Sequence, residues 1–257
     1  MEFIDTHTHL YLSQFDKDIN NVIDSAIENG IKKMLLPNID STTTNQMLHL
    51  SREFPDNCFP MIGLHPCSVK KNNIDKELEH VNDMLEKENF IAIGEIGLDL
   101  HWDKTTLELQ KKAFEHQINL AKKFNLPIVI HVRESFNEAI EIVEKLNDSN
   151  LRGVFHCFTG SVKDAERVID LKGFFLGIGG VITFKNGGLD KIINQIPLDH
   201  IMLETDSPYL TPAPNRGGRN ESKYILDIAQ KVSNIYNIDI EKIAKITTEN
   251  ANKLFNI

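Results

Sequence analysis

The sequence has few cysteines, and they follow no structural pattern. Cys58, Cys67 and Cys157 are an odd number and form no Cys-x-x-Cys pair, which argues against a disulfide framework and against a thiolate zinc site. Unpaired cysteines of this kind are typical of a reducing compartment. We therefore expect a cytoplasmic protein that is stabilised by a hydrophobic core.

The sequence also lacks a long apolar run and an excess of positive charge. No stretch approaches the roughly 18–20 apolar residues of a membrane span, and the first residues do not resemble a secretion signal, so we expect no membrane partner. The net charge is -9, which argues against a broad basic face for nucleic acid but leaves room for a local phosphate site. No obligate protein partner is evident.

The sequence does contain a regular alternation of short aliphatic runs and helical patterns. Such alternation predicts βαβ units and a parallel sheet. Between the first two runs, Ile19, Val22, Ile23 and Ala26 have the spacing of a helix stripe that ends at Gly30. We predict eight strands, at about residues 2–7, 32–37, 59–64, 90–96, 127–132, 152–157, 173–179 and 200–205.

This pattern predicts an α/β fold, a TIM-type (β/α) barrel in which residues 1–257 form a single domain. No linker, repeat or low-complexity tract interrupts it. An open doubly wound sheet is the alternative, but such sheets usually carry a glycine-rich phosphate turn after the first strand. The sequence has His7 and His9 at that position instead.

Six imidazole and carboxylate side chains are predicted at the C-terminal ends of strands, where a (β/α) barrel has its active site. They are His7, His9, Glu95, His131, His156 and Asp206. Because unpaired buried acids are costly without a cation, this convergence predicts a metal centre. Six ligands suit two divalent ions, with Glu95 as the natural bridge. Ligand type does not distinguish zinc, manganese, nickel or magnesium.

The alternation of side chains along a strand predicts which residues share a face. It groups Asp5 with His7 and His9, and it places Glu95 above Ile91 and Ile93. Similarly, it places Glu204 one layer below Asp206, as a residue that orients a metal ligand or as a buried acid held only by hydrogen bonds. Cys157 is expected to turn away from His156, towards the helices.

Several segments together resemble the motifs of the TatD family of metal-dependent deoxyribonucleases. They are Asp5-Thr-His-Thr-His9, Gly63-Leu-His-Pro66, Gly94-Glu-Ile-Gly-Leu-Asp99, Pro127-Ile-Val-Ile-His-Val-Arg133, His156-Cys-Phe-Thr-Gly160 and Glu204-Thr-Asp-Ser-Pro-Tyr-Leu210. The first motif is shared with all amidohydrolase-like barrels, whereas the motifs that begin at Gly94, His156 and Glu204 are together highly specific. The resemblance spans nearly the whole chain.

The resemblance implies a TIM-type barrel with two metal ions held by the six side chains named above. It also implies hydrolysis of DNA phosphodiesters, commonly as a 3′ to 5′ exonuclease, with DNA as a transient partner. His65 and Arg133 fall on family positions associated with substrate phosphate. Asp206 is expected to be both a metal ligand and the general base, and Glu95 a catalytic bridge.

Two other functions remain open at this stage. A related amidohydrolase could cleave a small amide, lactone or aminoacyl ester on the same barrel, although such enzymes often carry a modified lysine where this sequence has Glu95. A non-catalytic protein could use metals only to stabilise a binding surface. Around the predicted site, Arg216 and Arg219 could meet a DNA backbone, and Trp102 could stack on a base or close the barrel top.

Overall fold

The computed structural model describes residues 1–257 and contains eight parallel strands. These are Phe3–Asp5 (β1), Ile31–Leu36 (β2), Cys58–Pro60 (β3), Ile93–Asp99 (β4), Ile128–Arg133 (β5), Gly153–Phe155 (β6), Phe174–Ile178 (β7) and Ile201–Leu203 (β8). Strands β1 to β3 form one sheet and β4 to β8 form another, with the strands of each in chain order.

Backbone hydrogen bonds join these two sheets into a closed ring of strands. Between β8 and β1, Thr6 N donates to Leu203 O at 3.1 Å, and a parallel bridge pairs Thr8 with Ser207. Between β3 and β4, Gly94 N donates to Ile62 O at 2.9 Å beside a bridge from Ile62 to Ile93. The predicted TIM-type barrel is therefore confirmed.

Eight helices cover the outside of this ring. They are Ile19–Glu28 (α1), Thr44–Glu53 (α2), Ile74–Lys87 (α3), Leu107–Phe124 (α4), Phe136–Leu146 (α5), Val162–Asp170 (α6), Ile225–Tyr236 (α7) and Ile240–Phe255 (α8). Each turns an apolar stripe inwards; in α1 the buried residues are Val22, Ile23 and Ala26, as their spacing predicts. None of the helices combines the length and apolar character that a membrane span requires.

The barrel interior is filled by one apolar layer. Six strands contribute one residue each, and two further residues directly follow β3 and precede β4: the layer is Ile4, Leu35, Met61, Ala92, Val129, Val154, Phe175 and Met202. Leu254 and Phe255, at the end of α8, pack against this layer and close one end of the barrel. The polar residues that follow the strands are therefore confined to the other end.

The strands differ from the predicted ones mainly at their C-terminal ends. Strands β1, β6 and β8 end two residues earlier than predicted, so His7, His156 and Asp206 lie just beyond the ladder. Strand β4 is shifted by three residues towards the C-terminus, and its register slips between Ile93 and Ile96. Such an irregularity re-aims side chains.

The register slip in β4 makes one prediction from side-chain alternation wrong, namely that Glu95 lies above Ile91 and Ile93. Ala92, not Ile91 or Ile93, belongs to the interior layer, and Ile93 packs with the outer core between strands and helices. Glu95 nevertheless lies buried among the predicted site residues, because the irregular segment reverses the simple alternation.

Candidate metal centre

One group of donor atoms forms around the segment that follows β1. His7 Nε2 lies 3.3 Å from His9 Nε2 and 3.2 Å from Glu95 Oε2. Asp206 Oδ1 lies 3.7 Å from His7 Nε2 and 3.6 Å from His9 Nε2. Two imidazoles and two carboxylates from three separate parts of the chain therefore point at one small volume.

A second group lies on the other side of Glu95. Its Oε1 atom is 2.7 Å from His131 Nδ1 and 2.9 Å from His156 Nε2. The two oxygens of Glu95 thus face different sets of imidazoles. This is the arrangement expected of a carboxylate that bridges two cations.

The donor atoms fit a divalent cation. Ligand atoms that lie about 2.0–2.2 Å from a shared ion lie roughly 3 Å from one another, and the spacings in the first group are 3.2–3.7 Å. No lysine or arginine pairs with Glu95 or Asp206 to balance these buried acids. The structure holds overlapping clusters of histidine and carboxylate able to bind metal.

The electrostatics of the cluster keep its acids ionised. Burial alone would raise the pKa of Glu95. The neighbouring imidazoles of His65, His156 and His7 lower it by more, so that the pKa lies well below its ordinary value. Asp206 behaves similarly: burial raises its pKa, and the adjacent imidazoles of His9, His156 and His7 lower it by more. Both carboxylates are therefore available as anionic ligands at neutral pH.

Hydrogen bonds on the outer side of two imidazoles fix which nitrogen faces the centre. His131 Nε2 lies 2.9 Å from Asp99 Oδ2, and His9 Nδ1 lies 2.9 Å from the Tyr11 hydroxyl. The Tyr11 hydroxyl donates its own proton to Pro37 O at 2.5 Å, so His9 Nδ1–H must be the donor to Tyr11. When neutral, both rings then have their lone pair on the nitrogen that faces the acids.

Glu204 lies behind His156. Its Oε1 atom lies 3.4 Å from His156 Nδ1, at ion-pair distance, and accepts a hydrogen bond from the Cys157 backbone N–H at 2.5 Å. The side chain is fully buried, and neither its other oxygen, Oε2, nor His156 Nδ1 has a hydrogen-bond partner. The orienting role of Glu204 stays a prediction, which its position beside His156 supports.

His65 differs from the other imidazoles of the site. Its Nδ1 atom accepts a hydrogen bond from the Cys67 backbone N–H at 3.1 Å, so the proton of the neutral ring must lie on Nε2. That Nε2 atom lies 3.3 Å from Glu95 Oε1 and 3.3 Å from His131 Nδ1. His65 thus presents an N–H donor to the centre, whereas a metal ligand must present a lone pair.

The three arginines named from the sequence have different surroundings. Arg133 is exposed beside the site and makes no ion pair or hydrogen bond with another side chain. Arg219, in contrast, is bound by Asp18 and Glu221 at 2.7 Å and 3.0 Å. Its guanidinium therefore holds its own loop to the chain segment before α1. Arg216 lies 3.7 Å from the centre of the Phe184 ring.

These groups line a cavity of about 670 Å³ at the open end of the barrel. His9, His65, Glu95, His131, Arg133, His156 and Asp206 all contribute to its wall. Trp102 and Tyr209 lie on its rim as exposed aromatic residues. Cys157 also lines the cavity, so the prediction that it faces the helices is wrong; its positive φ of 48° takes it out of the strand alternation. It joins none of the metal-binding clusters.

Asp5 does not lie with His7 and His9, with which side-chain alternation had grouped it. Its carboxylate accepts hydrogen bonds from the backbone N–H of Thr205 at 2.9 Å and from the Thr205 hydroxyl at 2.6 Å. Burial raises its pKa to about 7, against these hydrogen bonds, which lower it. Asp5 therefore ties the end of β1 to the segment after β8, which carries Asp206.

Asp99 and Tyr11 have roles in the site that were not predicted from the sequence. A usable signal was present, because Asp99 is four residues from Glu95 in the same strand and Tyr11 is two residues beyond His9. Strand β4 was predicted to end at about residue 96, which hid the first of these relationships. The second depends on Pro37 O, which only the folded structure brings to Tyr11.

Comparison with known proteins gives one consistent result. A family profile described as TatD related DNase matches residues 4–256. The uncharacterized metal-dependent hydrolase YabD of Bacillus subtilis is 37% identical over 98% of both chains. The uncharacterized metal-dependent hydrolase YcfH of Escherichia coli K12 is 31% identical over 100% of this chain and 97% of its own length.

A solved structure agrees with these sequence relationships. The crystal structure of YjjV, a TatD homologue of Escherichia coli K12, superposes with a TM-score of 0.93 at 29% identity, covering 99% of this chain and 98% of that one. These relatives match the chain over nearly all of its residues and of their own. The barrel and the metal-binding clusters lie within the matched region. The chain belongs to the TatD family of metal-dependent hydrolases.

Proposed function

We propose that this protein hydrolyses phosphodiester bonds of DNA, removing nucleotides in the 3′ to 5′ direction with the help of two divalent cations. One observation carries the proposal: imidazole lone pairs and carboxylates that suit cations lie in the same cavity as N–H donors that suit a phosphate. His65 Nε2 and the unpaired Arg133 supply those donors.

Six side chains would hold the cations. His7, His9 and Asp206 would share one ion with Glu95 Oε2, and His131 and His156 would share the other with Glu95 Oε1. When bound, such a pair supplies positive charge that polarises a phosphodiester and lowers the pKa of a water molecule. Magnesium, manganese, zinc and nickel all suit this mixed donor set.

Asp206 is the proposed general base. Its lowered pKa keeps it ionised at neutral pH, and its side chain is 15% exposed, whereas that of Glu95 is 3% exposed. Asp206 is therefore the acid of the cluster that an attacking water can reach. It would take the proton of that water as the new phosphorus–oxygen bond forms, while the bond from phosphorus to the sugar oxygen of the leaving group breaks and that oxygen takes up a proton from solvent.

His65 and Arg133 are the proposed phosphate contacts. The Nε2–H of His65 points into the cavity and would donate to a non-bridging phosphate oxygen. The Arg133 guanidinium would donate paired N–H groups to the same phosphate, which suits its planar geometry. Because no carboxylate neutralises Arg133, its charge is available to a substrate anion.

A metal titration tests this function. Metal-stripped protein would be supplied separately with magnesium, manganese, zinc and nickel while the degradation of single-stranded DNA, labelled at either end, is followed. We expect activity to return with at least one ion and product ladders that shorten from the 3′ end. Parallel assays on small amides, lactones and aminoacyl esters test the amidohydrolase alternative. Cleavage of one of these with intact DNA in every metal would contradict the proposal.

A further inference from the structure

Two exposed aromatic side chains mark the rim of the cavity. Only three large hydrophobic residues of the chain are exposed, and Trp102 and Tyr209 are two of them, at 71% and 48%. The third is Met1, at the chain terminus. Exposing the apolar surface of a tryptophan to water costs free energy, which a ligand that covers the ring would recover. The position of Trp102 at a cavity mouth therefore indicates a binding surface.

The loop that carries Trp102 is held in place although its indole is free. The backbone N–H groups of His101 and Trp102 both donate to Asp99 Oδ1, at 2.9 Å and 3.1 Å. The His101 ring binds Glu134 at 2.7 Å, which fastens the loop to the residue after β5. The indole itself makes no hydrogen bond with the protein. A fixed backbone with an open ring face is a preformed stacking platform.

The Trp102 ring lies beside the proposed phosphate contact. The Arg133 guanidinium carbon lies over the ring, 5.4 Å from its centre, and the His101 ring meets the indole in an edge arrangement at 5.1 Å. With the indole 71% exposed, its other face is open to a ligand. A nucleotide likewise carries an aromatic base and a phosphate a short distance apart. A phosphate held by Arg133 would therefore bring a base within reach of the indole.

Tyr209 lies on the other side of the mouth. Trp102 follows β4 and Tyr209 follows β8, and strands four places apart in an eight-stranded ring lie on opposite sides. The Tyr209 ring is 6.3 Å from that of His9, in an edge arrangement. The cavity is thus open between two aromatic side chains, and Trp102 is the one that adjoins the phosphate contact.

We propose that Trp102 stacks on an unpaired nucleobase of the nucleotide whose phosphate Arg133 contacts. This inference rests on the proposed function. Both faces of a base inside a duplex are already stacked, so the indole can cover a base only after that base has left the helix. The substrate class is therefore a phosphodiester with a free aromatic base next to it.

Intrinsic fluorescence tests the contact directly, because Trp102 is the only tryptophan of the chain. The probe is a thymidine tetranucleotide with phosphorothioate linkages, which resist hydrolysis, titrated into manganese-loaded protein. The matched ligand is an abasic tetramer with the same backbone. We expect saturable quenching by the thymidine tetramer and little by the abasic one. Equal quenching by the two, or quenching by neither, would overturn the inference.

Kinetics provide the second readout. Trp102→Ala should raise the KM for single-stranded DNA about tenfold, the usual effect of losing one base–aromatic contact, while kcat changes little. Trp102→Phe keeps a ring and should recover most of the affinity. On an abasic oligonucleotide, Trp102→Ala and the unaltered protein should have the same kcat/KM. An equal loss on both substrates would assign Trp102 a structural role and contradict the proposal.

These two readouts separate this inference from the proposed function. If the unaltered protein cleaves no DNA in any metal, the proposed function fails, and the fluorescence titration still decides whether a base contacts Trp102. If DNA is cleaved but thymidine and abasic tetramers quench equally, the nuclease function stands and the base contact is rejected. Circular dichroism of both variants should match that of the unaltered protein, since the side chain is exposed.

Discussion

His131 Nε2 lies 2.9 Å from Asp99 Oδ2, and the opposite nitrogen of the same ring lies 2.7 Å from Glu95 Oε1. Asp99 also accepts two hydrogen bonds from the loop that carries Trp102. A single buried carboxylate therefore orients a proposed metal ligand and fixes the rim of the cavity. Such outer hydrogen bonds select the tautomer of a ligand and increase its basicity.

Asp99→Asn should weaken metal binding by about 10- to 100-fold, because the amide carries no charge and cannot stabilise the same orientation of His131. Isothermal titration of metal-stripped protein with manganese measures the effect. Asp103→Asn is the matched control, since Asp103 binds only Thr105 in the same loop. Equal affinities in the two variants would show that Asp99 does not support the centre.

Metal affinity should fall as the pH is lowered. Burial lowers the pKa of His156, but the charges of Glu95 and Glu204 raise it by more, so its pKa lies well above the ordinary value. For His131, the hydrogen bonds to Asp99 and Glu95 likewise outweigh burial and raise the pKa. A raised pKa means that each ring keeps its extra proton to a higher pH in the metal-free protein, and a cation must displace it.

Titration with manganese at about pH 6 and about pH 8 checks this expectation, with binding weaker by up to about tenfold per pH unit for each displaced proton. Repeating the titration in buffers of different ionisation enthalpy measures the proton release itself. Affinity that does not change with pH, without proton release, would contradict the assignment of these two imidazoles as ligands.

Two neighbouring glycines provide a test of the packing behind His156. A Cβ atom on Gly177 would lie 2.2 Å from Glu204 Oε2 and 3.1 Å from His156 Cα, whereas one on Gly179 would lie no closer than 3.6 Å to any atom. Gly177→Ala should therefore displace Glu204 and destabilise the fold by about 1–3 kcal/mol.

Gly179→Ala is the control for this pair. Gly179 has an extended backbone that alanine adopts readily, so the substitution should be neutral or stabilising by about 0.4–1 kcal/mol. Urea unfolding of the two metal-free variants gives both values. The expectation fails if Gly177→Ala is as stable as Gly179→Ala.

The sequence predicts the barrel and the convergence of the donors because both depend on simple periodicities. Alternating strand and helix patterns give the order of the elements, and strand ends in a parallel barrel meet at one face. His131, His156 and Glu204 lie on the side of the chain that alternation predicts, each two residues beyond an interior residue: Val129, Val154 and Met202.

The alternation of side chains fails as a guide where the backbone leaves the regular strand conformation. The register slip in β4 and the positive φ of Cys157 change the direction of side chains by tertiary contacts that no local pattern encodes. The same limit applies to protonation. The tautomer of His65 depends on the backbone N–H of Cys67, and that of His9 depends on Tyr11 and Pro37.

Asp206→Asn should abolish most turnover while the fold is kept. The amide cannot accept a proton from water, and general-base catalysis contributes about 10²- to 10⁴-fold to rate. The measurement is kcat for DNA at saturating metal, with metal content determined for the same sample. If a fully loaded Asp206→Asn protein retains the normal kcat, Asp206 is not the base.

Anomalous diffraction from a crystal soaked in manganese tests the proposal that Glu95 joins two cation sites. We expect two peaks per chain, one among His7, His9, Asp206 and Glu95 Oε2 and the other among His131, His156 and Glu95 Oε1. Saturated crystals without peaks between these side chains, or with manganese bound only elsewhere, would contradict it.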